Sequence, residues 1–316
     1  MGMGVVIVVL LIVLAVVLIK KKDASMPVSF DLTTEVFGQT VEEEALTADG
    51  LAADLCVGAG DTALDCVETQ GDERAALFDI QNKTLLFSKS LYEKSYPASI
   101  TKIMTALVAM EHADMDEVVT ITASDVALSA DSQVCGLAEG DQIQMSELFH
   151  ALLVYSANDA AMAIARTVGD GSVDTFVQMM NETAQSLGMT GTHFVNPHGL
   201  HNDDHYTTVY DIYLMLKEAL NYPEFTQITQ SGSYTVEYTH ADGSSASTTL
   251  LATDHYLTGE ATPPKNVTIL GGKTGTTDNA GNCLALLSQN AYGKPYISIV
   301  MGASTKDELY EQMSSL

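Results

Sequence analysis

The order in which hydrophobic periodicity changes along this chain limits its fold more than any other feature. AALFDI (75–80) and TLLFSKS (84–90) read as two strands joined by a Gln81-Asn82-Lys83 hairpin turn. The period then becomes helical. PASITKIMTALVAME (97–111) opens on a proline, and MSELFHALLVYS (145–156) puts Met145, Leu148, Phe149, Leu152 and Leu153 on one face. Ser172 is placed to cap a helix running through Met189, with Gly188 near its end. TTVYDIYLMLKEAL (207–220) is a further amphipathic segment. Strand patterns return at VTILGGKTGTT (267–277), NCLALLSQ (282–289) and YISIVMGAS (296–304), and Lys306–Leu316 suits a closing helix. This order predicts an α/β (α+β) chain whose N- and C-terminal strands pair in one sheet, with a helical middle inserted between them.

The 316 residues, 46% of them hydrophobic, suffice for one large domain or two small ones. Forty-one acids against 14 bases give a net charge of −27, which repels nucleic acid and reads as a solvated acidic face. Val5–Ile19 is unbroken apolar sequence. At about 1.5 Å per residue it falls slightly short of a ~30 Å bilayer core. Residues 1–22 are therefore a membrane anchor or signal segment, and the lack of an A-x-A cleavage site favours an anchor. Lys20, Lys21 and Lys22 would by themselves hold the downstream chain in the cytoplasm. Residues 23–72 form an acidic linker, with a strand over Val28–Leu32, and the ordered domain spans 73–316. Cys56, Cys66, Cys135 and Cys283 match no zinc spacing. Cys56 and Cys66 flank a short loop and could pair outside the cell, worth roughly 2–3 kcal/mol; the other reading is four free thiols. HFVNPHGLHNDDH (193–205) brings together His193, His198, His201, His205, Asp203 and Asp204 but has no H-E-x-x-H pattern, so neither a metal nor a cofactor is expected. The 14 methionines read as core filling.

Three short motifs carry the chemistry. In Ser99-Ile-Thr-Lys102 the first and last residues share a helical face, so a hydroxyl meets an amine. A serine nucleophile needs a base, and a neutral lysine can serve. Bringing a lysine from about 10.4 to near 7 takes roughly 4–5 kcal/mol, supplied by burial and a second cation. Pro97 and Ala98 suit the start of a helix, whose free N–H groups and dipole favour a developing oxyanion. In Ser156-Ala-Asn158 a hydroxyl that can pass a proton and an amide that can hold a carbonyl face one cleft. Ser288-Gln-Asn290 has the same spacing but ends a predicted strand and follows the third motif, so it is set aside. In Lys273-Thr274-Gly275-Thr276 the lysine can bind a carboxylate, and Gly275 lets a substrate backbone approach the strand. The N–H groups of Ser99 and Thr276 are candidate oxyanion donors. S-x-x-K, S-D-N and K-T-G in this order form one known set, which this chain carries with S-A-N as its middle member.

With YSANDAAMAIA (155–165), LGMTGTHFVNPHGL (187–200) and GGKTGTT, the chain resembles the serine-type D-alanyl-D-alanine carboxypeptidases, the low-molecular-mass penicillin-binding proteins, over about Ala75 to Ser304. The resemblance implies a β-lactamase/transpeptidase-like fold, an antiparallel five-stranded sheet flanked by helices with an inserted helical subdomain. It implies Ser99 as the acylated nucleophile, Lys102 as its base, Ser156 as proton shuttle, and Asn158, Lys273, Thr274, Gly275 and Thr276 as substrate-binding residues. It further implies peptidoglycan stem peptides ending in D-Ala-D-Ala as substrate and β-lactams as acylating inhibitors. The catalytic domain would lie outside the cell membrane, attached through the N-terminal segment alone. Thr276 stands where many relatives have a bulkier aromatic residue or histidine. Two alternatives are a class A-like β-lactamase, for which no E-x-x-L-N is found, and a non-catalytic cell-wall or sporulation scaffold.

Overall fold

The computed structural model describes residues 54–65, 67, 71–130 and 132–316. Its elements run β1 (Arg74–Asp79), β2 (Thr84–Lys89), a 3-10 turn (Ala98–Thr101), α1 (Lys102–His112), β3 (Val118–Thr120), β4 (Gln142–Gln144) and α2 (Met145–His150). A π turn (Ala151–Tyr155) leads to α3 (Asn158–Val168), α4 (Val173–Ser186), α5 (Val209–Ala219), α6 (Pro223–Thr229), β5 (Ser233–Thr239) and β6 (Ser245–Leu251). Last come α7 (His255–Thr258), β7 (Val267–Thr277), β8 (Gly281–Asn290), β9 (Pro295–Ala303) and α8 (Lys306–Ser315).

Five antiparallel strands pair in the order β2-β1-β9-β8-β7, so the first two strands join the last three, as their sequence order predicts. Alternation sends β1 side chains to opposite faces. Ala76 and Phe78 enter the main core with α1 and α5, while Ala75 and Leu77 meet Leu309, Tyr310 and Met313 of α8. Helix α1 is buried from Lys102 to Ala109, which explains why its sequence shows no polar face there. Ser172 caps α4 by accepting from the Thr175 N–H, and a Thr305/Glu308 capping box starts α8.

The middle is not wholly helical. Strands β3, β4, β5 and β6 form a second, four-stranded sheet. Their sequences hide it: β3 and β4 have three residues each, and β5 and β6 each bury one apolar residue, Val236 and Leu250, among Ser, Thr and Glu. Apolar periodicity cannot report strands that bury so little.

Within the segment expected as linker, residues from Asp54 lie against the domain. The buried Cys56 donates its N–H to Tyr213 Oη at 2.8 Å and its thiol to the Asp79 carbonyl at 3.4 Å. Thr62 pairs with Ser88, and Asp61 accepts from the Leu91 N–H. Cys56 is a free thiol, which agrees with the unpaired of the two alternatives; Cys66, the 1–22 segment and the Val28–Leu32 strand lie outside the described residues. Among the described residues no helix is long and apolar enough to cross a membrane.

Tyr213 stacks on Phe78 at 4.1 Å and clamps this arm to the core. Tyr213→Phe keeps the ring but strands the buried Cys56 N–H, at a cost of roughly 1–3 kcal/mol. The expected result is a lower urea midpoint and early proteolysis within 54–72 at protease levels that leave the parent intact; equal resistance would show that the arm is held otherwise.

Candidate active site

The start of α1 is wedged between a loop and an edge strand. An ideal Cβ on Gly199 would lie 1.9 Å from the Ala98 carbonyl oxygen, and one on Gly275 would lie 2.9 Å from Pro97 O and 3.0 Å from Ser99 N. Only glycine allows both approaches. Ala98 itself has a positive φ of 47°. Ser99 sits in the 3-10 turn rather than in α1, and in a 3-10 turn residues i and i+3 eclipse. That puts Lys102 directly under the serine.

Lys102 is fully buried, and its Nζ lies 3.0 Å from Ser99 Oγ, 2.7 Å from Asn158 Oδ1 and 2.8 Å from the His198 carbonyl oxygen. Two of these partners are carbonyl oxygens, which only accept. A neutral amine has two N–H bonds and one lone pair. With both N–H bonds engaged by Asn158 and His198, the lone pair is left for the Ser99 hydroxyl. An ammonium would fill the same three directions by donating to all of them, so the proton can cross the 3.0 Å bond without rearrangement. Burial first, and then the charge of Lys273, holds the Lys102 amine well below the ordinary lysine range.

The stretch 193–205 supports this lysine. Asn196 Oδ1 accepts from the Gly199 N–H at 2.7 Å and its Nδ2 donates to Leu200 O at 2.9 Å, closing the loop that presents the His198 carbonyl. His205 Nδ1 accepts from the Val195 N–H, so its Nε2 carries the hydrogen and donates to Thr101 Oγ1 at 2.8 Å. Burial keeps both imidazoles neutral, pushing His198 down to about 3 and His205 to about 4. Sequence reasoning missed these supports because a backbone carbonyl has no residue-type signal.

The second motif follows the π turn. Ser156 adopts a left-handed conformation (φ 69°), and its Oγ is buried with no hydrogen-bond partner. Asn158 opens α3 with its Oδ1 committed to Lys102, which leaves Nδ2 as its free donor. The neighbouring Asp159 accepts N–H bonds from Cys135, Gly136 and Leu137 at 3.1, 3.1 and 3.3 Å. This nest pins the loop whose Ser132 and Gln133 form part of the cleft wall.

The third motif lies on β7, the edge strand of the five-stranded sheet. Lys273 is 1% exposed, and its Nζ donates to the Thr274 carbonyl at 2.9 Å. Burial lowers its amine to about 7. Thr276 ties its hydroxyl to Asn282 Oδ1 at 3.2 Å. The three motifs meet at a cleft of about 290 Å³ whose wall includes Ser99, Ser156, Asn158, Thr274, Gly275 and Thr276, with Lys102 and Lys273 buried behind it. No described residue of the wall is acidic, although the chain carries a net charge of −27. Lys306 contributes a cation to this wall, which favours an anionic group. Ser288 lies in β8, away from this wall.

The sequence model of the D-alanyl-D-alanine carboxypeptidases matches residues 67–305. Among curated relatives, D-alanyl-D-alanine carboxypeptidase DacF of Bacillus subtilis is 31% identical over 245 residues, covering 77% of this chain and 60% of DacF. D-alanyl-D-alanine carboxypeptidase DacC of Escherichia coli is 31% identical over 246 residues, covering 74% of this chain and 57% of DacC. The chain thus spans less than two thirds of the length of these relatives. The crystal structure of the Streptomyces K15 DD-transpeptidase superposes with a TM-score of 0.71 at 26% identity, covering 79% of this chain and 97% of that one.

Lys273 carries a measurable signature. It releases its proton near pH 7 when folded and near 10.5 when unfolded. Between those values the unfolded chain binds more protons, so stability rises with pH across this window. At pH 7 the buried amine costs about 4 kcal/mol. Lys273→Met is expected to be more stable than the parent at pH 7 and to lose most of that margin by pH 10, as read by urea unfolding at both values. A margin that does not change with pH would contradict the burial of a proton-releasing amine.

Proposed function

The chain belongs to the D-alanyl-D-alanine carboxypeptidase family and has the transpeptidase-like fold shared with β-lactamases, and on that premise we propose that it is a serine D,D-carboxypeptidase acting on peptidoglycan stem peptides ending in D-Ala-D-Ala. The observation that carries this reading is the three-way environment of Lys102 Nζ, which leaves one lone pair aimed at Ser99 Oγ.

In this reading the peptide lies along β7, with its terminal carboxylate toward Lys273 and a carbonyl held by Asn158 Nδ2. Ser99 Oγ attacks the penultimate carbonyl carbon as its proton passes to Lys102. The N–H groups of Ser99 and Thr276 stabilise the oxyanion, each worth about 3–4 kcal/mol in the transition state. Collapse breaks the peptide bond, and the departing D-alanine amine takes a proton through Ser156, whose orphaned hydroxyl is free for that transfer. Water then attacks the acyl-Ser99 ester and returns the serine. Thr274 and Gly275 complete the strand edge against which the peptide lies. A β-lactam carries both a strained acyl group and a carboxylate, so it would acylate the same serine. Among the described residues of the cleft wall none is a carboxylate, which weighs against a β-lactamase that needs a second base for deacylation. A wall-binding scaffold would need none of this proton-transfer geometry.

The substrate implies a place in the cell envelope. Residues 1–22 would attach the chain to the membrane, with residues 23–72 leading to a catalytic domain over 73–316 outside it. The acidity of the chain fits a protein without a nucleic-acid partner.

Incubation with benzylpenicillin is expected to add one acyl group to the intact protein, mapped by peptide analysis to Ser99 and absent in Ser99→Ala. Lys102→Ala should acylate about 10³-fold more slowly. An adduct on another residue would reject the site, and rapid turnover of a chromogenic cephalosporin would favour the β-lactamase.

A further inference from the structure

The connection between β6 and β7 contains none of the three motifs, yet it reaches the cleft. Thr253 Oγ1 lies 2.5 Å from Thr274 Oγ1, and the Thr253 N–H donates to the Val154 carbonyl at 3.2 Å. Residues 253–254 are therefore fixed beside Lys273–Thr274. Asp254 is 5% exposed and starts the four-residue helix α7. Its Oδ1 accepts from the Tyr256 N–H at 2.9 Å and from Tyr310 Oη at 3.2 Å, while Tyr310 Oη accepts from the His255 N–H at 2.7 Å. Capping is complete with that one oxygen. The other, Oδ2, is buried and has no hydrogen-bond partner. A buried, undonated carboxylate oxygen is costly unless a cation faces it.

We propose that Asp254 is a positioning residue for the carboxylate-binding lysine: its charge, held near Lys273 by the Thr253–Thr274 contact without a direct ion pair and with Oδ2 unpartnered, keeps that amine cationic for an incoming carboxylate. This rests on the carboxypeptidase reading, which needs Lys273 charged and Lys102 neutral at the same pH.

The charges around the two lysines agree. Burial drives Lys273 toward neutrality and Asp254 opposes it. Burial pushes Asp254 up, while His255 and Lys273 pull it down. Lys102, on α1, is depressed by Lys273, whereas Asp159, on α3, supports its charge. Lys306 stands at the rim from α8. Each lysine thus has a carboxylate on its own side, Asp254 for Lys273 and Asp159 for Lys102. Asp159 is already engaged by three N–H groups, whereas Asp254 Oδ2 accepts no hydrogen bond.

The test uses Asp254→Asn and Asp254→Ser in the full chain. Asn and Ser cap a helix about as well as Asp, so both keep the α7 start and remove only the charge. The measurement is the second-order rate of Ser99 acylation by benzylpenicillin, whose carboxylate stands in for the peptide terminus, from pH 5 to 9. Loss of one nearby charge should lower the Lys273 pKa by about one unit. Both variants should then acylate about tenfold more slowly than the parent at pH 8 and within twofold of it at pH 6. Profiles that superimpose on the parent, or that fall by one factor at every pH, would make Asp254 a helix cap only. A parent that forms no Ser99 adduct at any pH would sink the carboxypeptidase reading and this role with it.

Discussion

The site depends on one buried amine having three partners of the right kind. Lys102 has no contact with water, and two of its three neighbours are carbonyl oxygens. Because those acceptors cannot give a proton back, the Ser99 hydroxyl is the one of these three partners that can exchange a proton with Nζ. The 3-10 turn, the glycine at 199, the glycine at 275 and the Asn196-closed loop all serve to bring that triangle together. Moving any of them moves either the hydroxyl or the carbonyl that defines the lone pair's direction.

Such a site is held against the preferences of its own residues. Two lysines are buried almost completely, Ala98 and Ser156 hold positive φ values, and the Ser156 hydroxyl has no partner. Each feature destabilises the folded state, by about 1–3 kcal/mol for a strained backbone residue and more for a buried charge. The surrounding core offsets this. Helix α1 is enclosed along most of its length, and the five-stranded sheet is packed on both faces. Strain concentrated at reactive groups on a rigid frame is what a preorganised catalytic site requires.

The sequence disclosed the frame and the reactive groups for a physical reason. Strands β1, β2, β7, β8 and β9 carry strong apolar content, and α1, α2, α4 and α5 bury apolar residues at helical spacing, so periodicity reports them; α3 is not among the predicted helices. Ser99, Lys102, Ser156, Asn158 and Lys273 stood out because their residue types at those spacings suit nucleophile, base and carboxylate binding. The four-stranded sheet stayed hidden because its strands are short or mostly polar. His198 stayed hidden because its contribution is a carbonyl, and Asp254 because its partner is nineteen residues further on, in a motif it does not belong to. Long-range pairing of unlike elements leaves no periodic trace in the chain.

The most direct measurement is the titration of Lys102 itself, by ¹³Cε chemical shift in protein labelled at lysine, with the resonance assigned by its disappearance in Lys102→Arg. The expected result is an amine that is uncharged at neutral pH and titrates well below the ordinary lysine value near 10.5. A Lys102 signal that stays that of an ammonium up to pH 10 would contradict the lone-pair geometry, and with it the role given to every residue around it.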